Sequence, residues 1–181
     1  MKEEFTEGGL RNRLIIAGIE EISLYGIKDF SLRRVAMRCD ASCAAPYRHF
    51  KNREDFIREI VSYINRQWEL LCDSVISLFE GDVCRQLTEL SVAYIRFLAA
   101  NANYRAALSA SGEMGFETPA FASLLAEYCK SKGMGDEEHA RRLYAVKALI
   151  FGTVSMLGCG ELQNEDATFE QVRATVRALL A

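Results

Sequence analysis

Residues 31–56 read SLRRVAMRCDASCAAPYRHFKNREDF, and the spacing inside this stretch decides the fold. Leu32, Val35, Ala36 and Cys39 recur at i, i+3, i+4 and i+7, a single apolar stripe on a short helix. Ser31 stands where an N-cap belongs. The stripe stops at Asp40-Ala41-Ser42, where Asp tolerates the left-handed backbone of a turn and Ser42 is placed to cap the next helix. That second short helix is expected from 43 to about 50, ending at Lys51-Asn52, with Asn52 capping a further helix that opens Arg53-Glu54-Asp55. The second helix carries Tyr47, Arg48 and His49, with Lys51 just beyond, and has too little apolar surface for a core element. Phe50 and small alanines anchor it while polar groups point outward, as a recognition helix requires.

The same residues resemble the helix-turn-helix of the TetR family of transcriptional regulators, whose motif reads roughly V-A-x-x-A-G-V-S-x-G/A-x-x-Y-x-H-F-x-x-K/R-E-x-L. Val35, Ala36, Ser42, Ala44, Tyr47, His49, Phe50, Arg53 and Glu54 match it. Cys39, Asp40, Ala41 and Phe56 depart from it, and Asp40 replaces the usual turn glycine. The resemblance implies an all-α protein of about nine helices. Residues 1–52 would be a three-helix DNA-binding domain, and 53–181 a larger helical domain for ligand binding and dimerisation. It further implies a homodimer on a palindromic operator, released when a small molecule binds. On the DNA side, Tyr47, His49 and Lys51 are expected on phosphates, and Cys43, Ala45 and Arg48 on base edges. Arg33 could reach either. Ser31 and Ser42, at helix starts, would add backbone N–H groups toward phosphate.

Charge is distributed to suit this reading. The net charge is −3 overall. Residues 9–53 hold nine Lys/Arg against four acids, whereas 54–181 hold twelve basic and eighteen acidic residues. One end therefore suits a polyanion. The acidic, polar start of the chain lacks the form of a signal peptide, and the longest apolar run, residues 148–159, is too short to span a bilayer. A cytoplasmic protein with no membrane partner is expected.

Down the chain, residues 1–9 read as a frayed arm. A first helix from 10 to 25 has Ile15, Gly18, Ile19, Ile22 and Tyr25 on its inner face, and Gly26 ends it. The helix opening at Arg53 carries Phe56, Ile60, Ile64, Trp68, Leu71, Val75 and Leu78 at three- and four-residue steps, long enough to link the two domains. Asp82 caps the next, a short helix is expected around 104–110, and Thr118-Pro119 opens another. Residues 136–159 form a helix with acids at its start and apolar residues nearly all round its second half. Thr168 and Gln171 read as a capping box for the last helix, striped by Phe169, Val172, Val176 and Leu179. An all-round apolar helix needs two buried faces. The last two helices are therefore expected to pack on their copies in a second subunit.

By resemblance, the larger domain holds a pocket for a largely apolar effector, with Trp68, Tyr94, Phe97 and Phe121 as the residues expected to line it. No Gly-rich phosphate loop, GxSxG, HExxH or paired ExxH is present, and the chain has two histidines. Catalysis, a cofactor and a metal are not expected. The six cysteines (39, 43, 72, 84, 129 and 159) form no CxxC pair and read as small buried hydrophobes. The alternative keeps DNA binding and makes cysteine oxidation the signal.

Overall fold

Side chains that cap backbone groups set where three of the helices begin. The computed structural model describes residues 7–101, 107 and 119–181, and these contain eight helices. They are α1 (Glu7–Tyr25), α2 (Leu32–Arg38), α3 (Pro46–His49), α4 (Arg53–Leu78), α5 (Val83–Ala100), α6 (Pro119–Ser131), α7 (Asp136–Cys159) and α8 (Asp166–Leu180). The protein is all-α in its described residues. Apart from Ala107, the short helix expected around 104–110 lies outside them, as does Thr118. Ser31 Oγ accepts from the Arg34 N–H at 3.4 Å, Asn52 Oδ1 from Asp55 at 2.8 Å, and Asp82 Oδ1 from Arg85 at 2.9 Å. Each satisfies a donor that a helix start leaves open. Three local expectations are corrected. Gly8 and Gly9 belong to α1, not to a frayed arm. Thr168 lies inside the first turn of α8, and its hydroxyl donates to the Gln163 carbonyl at 2.8 Å instead of capping. Tyr25 is 47 % exposed, against the Arg34 guanidinium rather than in the core.

The described chain forms two compact units. The first contains α1, α2, α3 and the part of α4 up to Gln67. It runs past residue 52 because Phe56, Ile57, Ile60 and Val61 of α4 are fully buried in its core with Leu14, Ile15 and Val35. Three short helices alone bury too little apolar surface to be stable, and a fourth wall supplies it. Phe56 is the hub. Its ring lies 4.4 Å from that of Phe50, edge to face, and 5.6 Å from that of Phe30. Gly18 faces the same ring so closely that a Cβ there would stand 2.5 Å from Phe56 Cε1 and 2.8 Å from Ile60 Cδ1. No side chain fits.

The second unit contains the rest of α4 together with α5, α6, α7 and α8. Within it α5 packs against α6, α7 and α8. Leu87, Leu90, Val92, Ile95 and Leu98 fill its centre. Buried polar groups on α5 are satisfied nearby, with Gln86 donating to the Ile76 carbonyl, Thr88 to that of Cys84 and Ser91 to that of Leu87, at 2.7–2.8 Å. Arg173 of α8 grips both oxygens of Glu89 at 2.9–3.1 Å, and the Tyr128 hydroxyl holds the Leu180 carbonyl at 3.0 Å. On α8 the buried stripe ends at Leu180, with Leu179 only half-buried. α7 buries Val146, Ile150, Thr153 and Val154, whereas Tyr144, Ala148, Gly152, Ser155, Met156 and Cys159 are exposed. As a whole α7 is long and apolar enough to cross a membrane, which residues 148–159 alone are not. Such length and composition also describe a helix that packs on both sides.

Candidate nucleic-acid interface and effector site

Between α2 and α3 the chain turns on Asp40, whose φ of +52° is the left-handed value expected of it. Ala41 N–H bonds the Ala36 carbonyl at 3.0 Å and Asp40 N–H that of Met37 at 3.2 Å. This is the Schellman pattern that closes a helix, made with Asp where glycine is usual. The left-handed conformation costs Asp about 1 kcal/mol. After the turn the structure differs from expectation. Residues 43 and 44 are a turn, in which Ala45 N–H bonds the Ser42 carbonyl at 2.9 Å. α3 starts only at Pro46, with Ala45 as its N-cap residue. Proline suits that first position, having no N–H to leave unsatisfied. Ser42 therefore does not stand at a helix start.

The one-turn α3 is held by Ala45, Pro46 and Phe50, all buried. Ala45, expected on a base edge, is only 6 % exposed and belongs to this anchor. Ser42, Cys43, Tyr47, Arg48 and Lys51 are exposed, Tyr47 by 61 %, and His49 is half-buried with its ring edge-on to Phe50 at 6.2 Å. Arg33 is exposed on α2, just beyond the capping Ser31.

The cations of this unit from Arg11 to Arg53 fall into two groups. Arg11 pairs with Glu59, Arg34 and Arg38 with acids of α1, Arg13 donates to the Cys39 carbonyl at 2.7 Å, and Arg53 donates to that of Ile27. These hold the helices together. Lys28, Arg33, Arg48 and Lys51 make no ion pair among the described residues. Three of those four lie on or beside α2 and α3, where their charge is available to a polyanion.

In the second unit, Trp68, Tyr94 and Phe97 come together, with ring centroids 4.5 Å (Trp68–Tyr94), 5.3 Å (Trp68–Phe97) and 6.1 Å (Tyr94–Phe97) apart. Phe121 is buried on α6 and, among the described residues, is not part of that cluster. The Trp68 indole N–H is buried without an acceptor among the described residues. A depression of about 400 Å³ opens elsewhere, where Arg96 lies over Phe169 at 4.2 Å and reaches Asp166 at 3.4 Å. It contains none of the four expected effector residues. Of the cysteines, Cys39, Cys72 and Cys129 are buried, Cys84 is half-buried, and Cys43 and Cys159 are exposed. Burial pushes the Cys39 thiol above its ordinary pKa, and pushes Cys72 up to about 12. Neither is a ready thiolate.

This arrangement of helices is that of the TetR-family regulators. A TetR family transcription regulator from Marinobacter aquaeolei VT8 superposes with a TM-score of 0.71 over 94 % of each chain, at 17 % identity. A single-substitution variant of TetR from Acinetobacter baumannii AYE, in complex with minocycline, does so with a TM-score of 0.62 over 97 % of this chain and 94 % of its own, at 17 % identity. A protein of unknown function from Rhodococcus sp. RHA1 reaches 0.78 over 99 % and 97 %, at 18 % identity. At such identities the likeness is one of fold. No protein-family model and no curated protein matches the sequence.

Proposed function

We propose that this chain is a TetR-family transcriptional regulator that binds a palindromic operator as a homodimer, represses from it, and leaves when a small molecule binds. The observation that carries the reading is the uncommitted set Arg33, Tyr47, Arg48 and Lys51. It is exposed around a helix-turn-helix in which Arg11, Arg13, Arg34, Arg38 and Arg53 are spent on structure. Arg48 presents a fork suited to the O6 and N7 of guanine, while Tyr47, His49, Lys51 and the start of α2 at Ser31 serve phosphates. Ser42 and Cys43, on the exposed turn, face the duplex beside them. Two copies would read half-sites about one helical turn (~34 Å) or more apart. The exposed, uncharged face of α7 with the alanines of α8 supports a second copy as its cover. On this reading the protein works in the cytoplasm.

For the effector, the Trp68–Tyr94–Phe97 cluster supports a largely apolar molecule, and the unpartnered indole N–H favours one carrying a hydrogen-bond acceptor. Phe121 would complete the lining. Release follows if that molecule prefers the geometry that does not fit the operator. Selecting bound sequences from random duplex DNA tests the whole reading, and should return a two-fold symmetric site. On that site Arg48→Ala should lose about 1–3 kcal/mol and relax preference at one position, and Lys51→Ala should lower the salt slope by about 1. Unchanged affinity and slope after combining Arg48→Ala with Tyr47→Ala would overturn it.

A further inference from the structure

One carboxylate in the first unit sits where composition argues against it. Glu21 is fully shielded from solvent on α1, four and seven residues after buried Ala17 and Leu14. An ionised carboxylate survives in such a place only with cations against it. Both come from α2. Arg34 Nε donates to Oε1 at 2.5 Å, and Arg38 Nε lies 3.6 Å from Oε2. Because Oε2 accepts no hydrogen bond among the described residues, the charge of Arg38 is its compensation. Arg38 is drawn the same way by Glu20, 3.7 Å from its Nη1, and Arg34 is fixed further by the Tyr25 ring at 4.3 Å and the Asp29 carbonyl.

The two arginines are not themselves buried. Their side chains are 41 % and 32 % exposed, one helical turn apart on α2 and next to the free Arg33. In a helix-turn-helix this helix crosses the phosphate backbone. A carboxylate inside the protein attracts them with little screening, whereas a phosphate competes through salt water. We propose that Glu21 is a positioning residue that withholds Arg34 and Arg38 from phosphate, pinning α2 to α1 and holding down sequence-independent affinity for DNA. The inference rests on the DNA-binding reading above. Its consequence is that two of the cations counted toward a basic face do not act as such.

The test is the salt dependence of binding to a mixed-sequence duplex by the full chain, between about 50 and 200 mM salt. Glu21→Gln should steepen the log–log slope by about 0.9 for each arginine that reaches a phosphate, and tighten binding at the low-salt end. Adding Arg34→Gln and Arg38→Gln to it should restore the parent slope. A Glu21→Gln protein that melts earlier with an unchanged slope overturns the proposal. Should that variant not fold, Arg38→Gln alone decides. An unchanged slope agrees with a withheld guanidinium, and a slope shallower by about 0.9 contradicts it. If the parent chain binds no duplex at any salt, the DNA-binding reading itself has failed, and that result is distinct from every outcome above.

Discussion

The Cys72 thiol lies buried in α4 near Asp73 and Glu69, and burial is the main reason its pKa rises from 9.0 to about 12. The folded state thus holds the thiol proton more tightly than the unfolded one. Stability from this group is full below about pH 9, where the unfolded thiol ionises, and declines toward pH 12. Near neutral pH the thiol stays protonated and shielded. Iodoacetamide at about pH 8 should therefore label Cys43 and Cys159 in the native protein, and reach Cys39 and Cys72 only after denaturant is added. Mass analysis of the labelled peptides checks this, and native labelling of Cys72 would contradict its burial. Oxidation sensing is left to Cys43, Cys84 and Cys159, since the other thiols are enclosed. Glu21 shows what a sequence does not disclose at this scale. Its place on the stripe of Leu14 and Ala17 is visible, but its partners lie on another helix, so only the folded chain brings a carboxylate and two guanidinium groups together.

Among the elements, α4 opens with a reciprocal lock. Asn52 accepts from the Asp55 N–H, and the Asp55 carboxylate accepts from the Lys51 N–H at 2.9 Å. That bond, with Arg58 behind it, holds the Asp55 carboxyl below the usual range. Asn52→Ala should lower stability by about 1 kcal/mol in thermal melts. Because the folded pKa of Asp55 is depressed, its stabilisation is present above the unfolded pKa and is lost as pH falls through the folded one. The deficit of Asp55→Asn relative to the parent should accordingly shrink in acid. Starts such as Ser31, Asn52 and Asp82 are legible because a cap and its donor lie three residues apart in the chain. The start of α3 is harder to place. Ala44 and Ala45 suit a helix by propensity, but Pro46 marks the first helical position, and that proline is the available signal. Burial of Ala45 accompanies the later start, which no stripe in so short a segment reveals.

For the molecule as a whole, the exposed run of Tyr144, Ala148, Gly152, Ser155 and Cys159 on α7 sets the expectation. Its apolar character is legible, because a helix apolar on nearly every side has more surface than one neighbour covers. Ala148→Arg would place a charge in the middle of that face. It should leave the helical circular dichroism intact, halve the mass seen in sedimentation equilibrium, and weaken operator binding by separating the two reading heads. An unchanged mass would count against this face as the contact of the proposed dimer.

Gly18 carries the last consequence. With Phe56 and Ile60 occupying the volume of any β-carbon, α1 and α4 are set backbone against ring, and both their separation and the rotation of α1 are fixed at that point. The face of α1 that receives α2 takes its direction from this rotation. On the DNA-binding reading proposed above, a methyl group introduced there would tilt that face and, with it, the angle at which Tyr47 and Arg48 meet a groove. Lesions at position 18 would thus mimic the loss of a DNA contact while touching no DNA, so a genetic map of this protein would mark as part of the reading surface a residue that lies entirely beneath it.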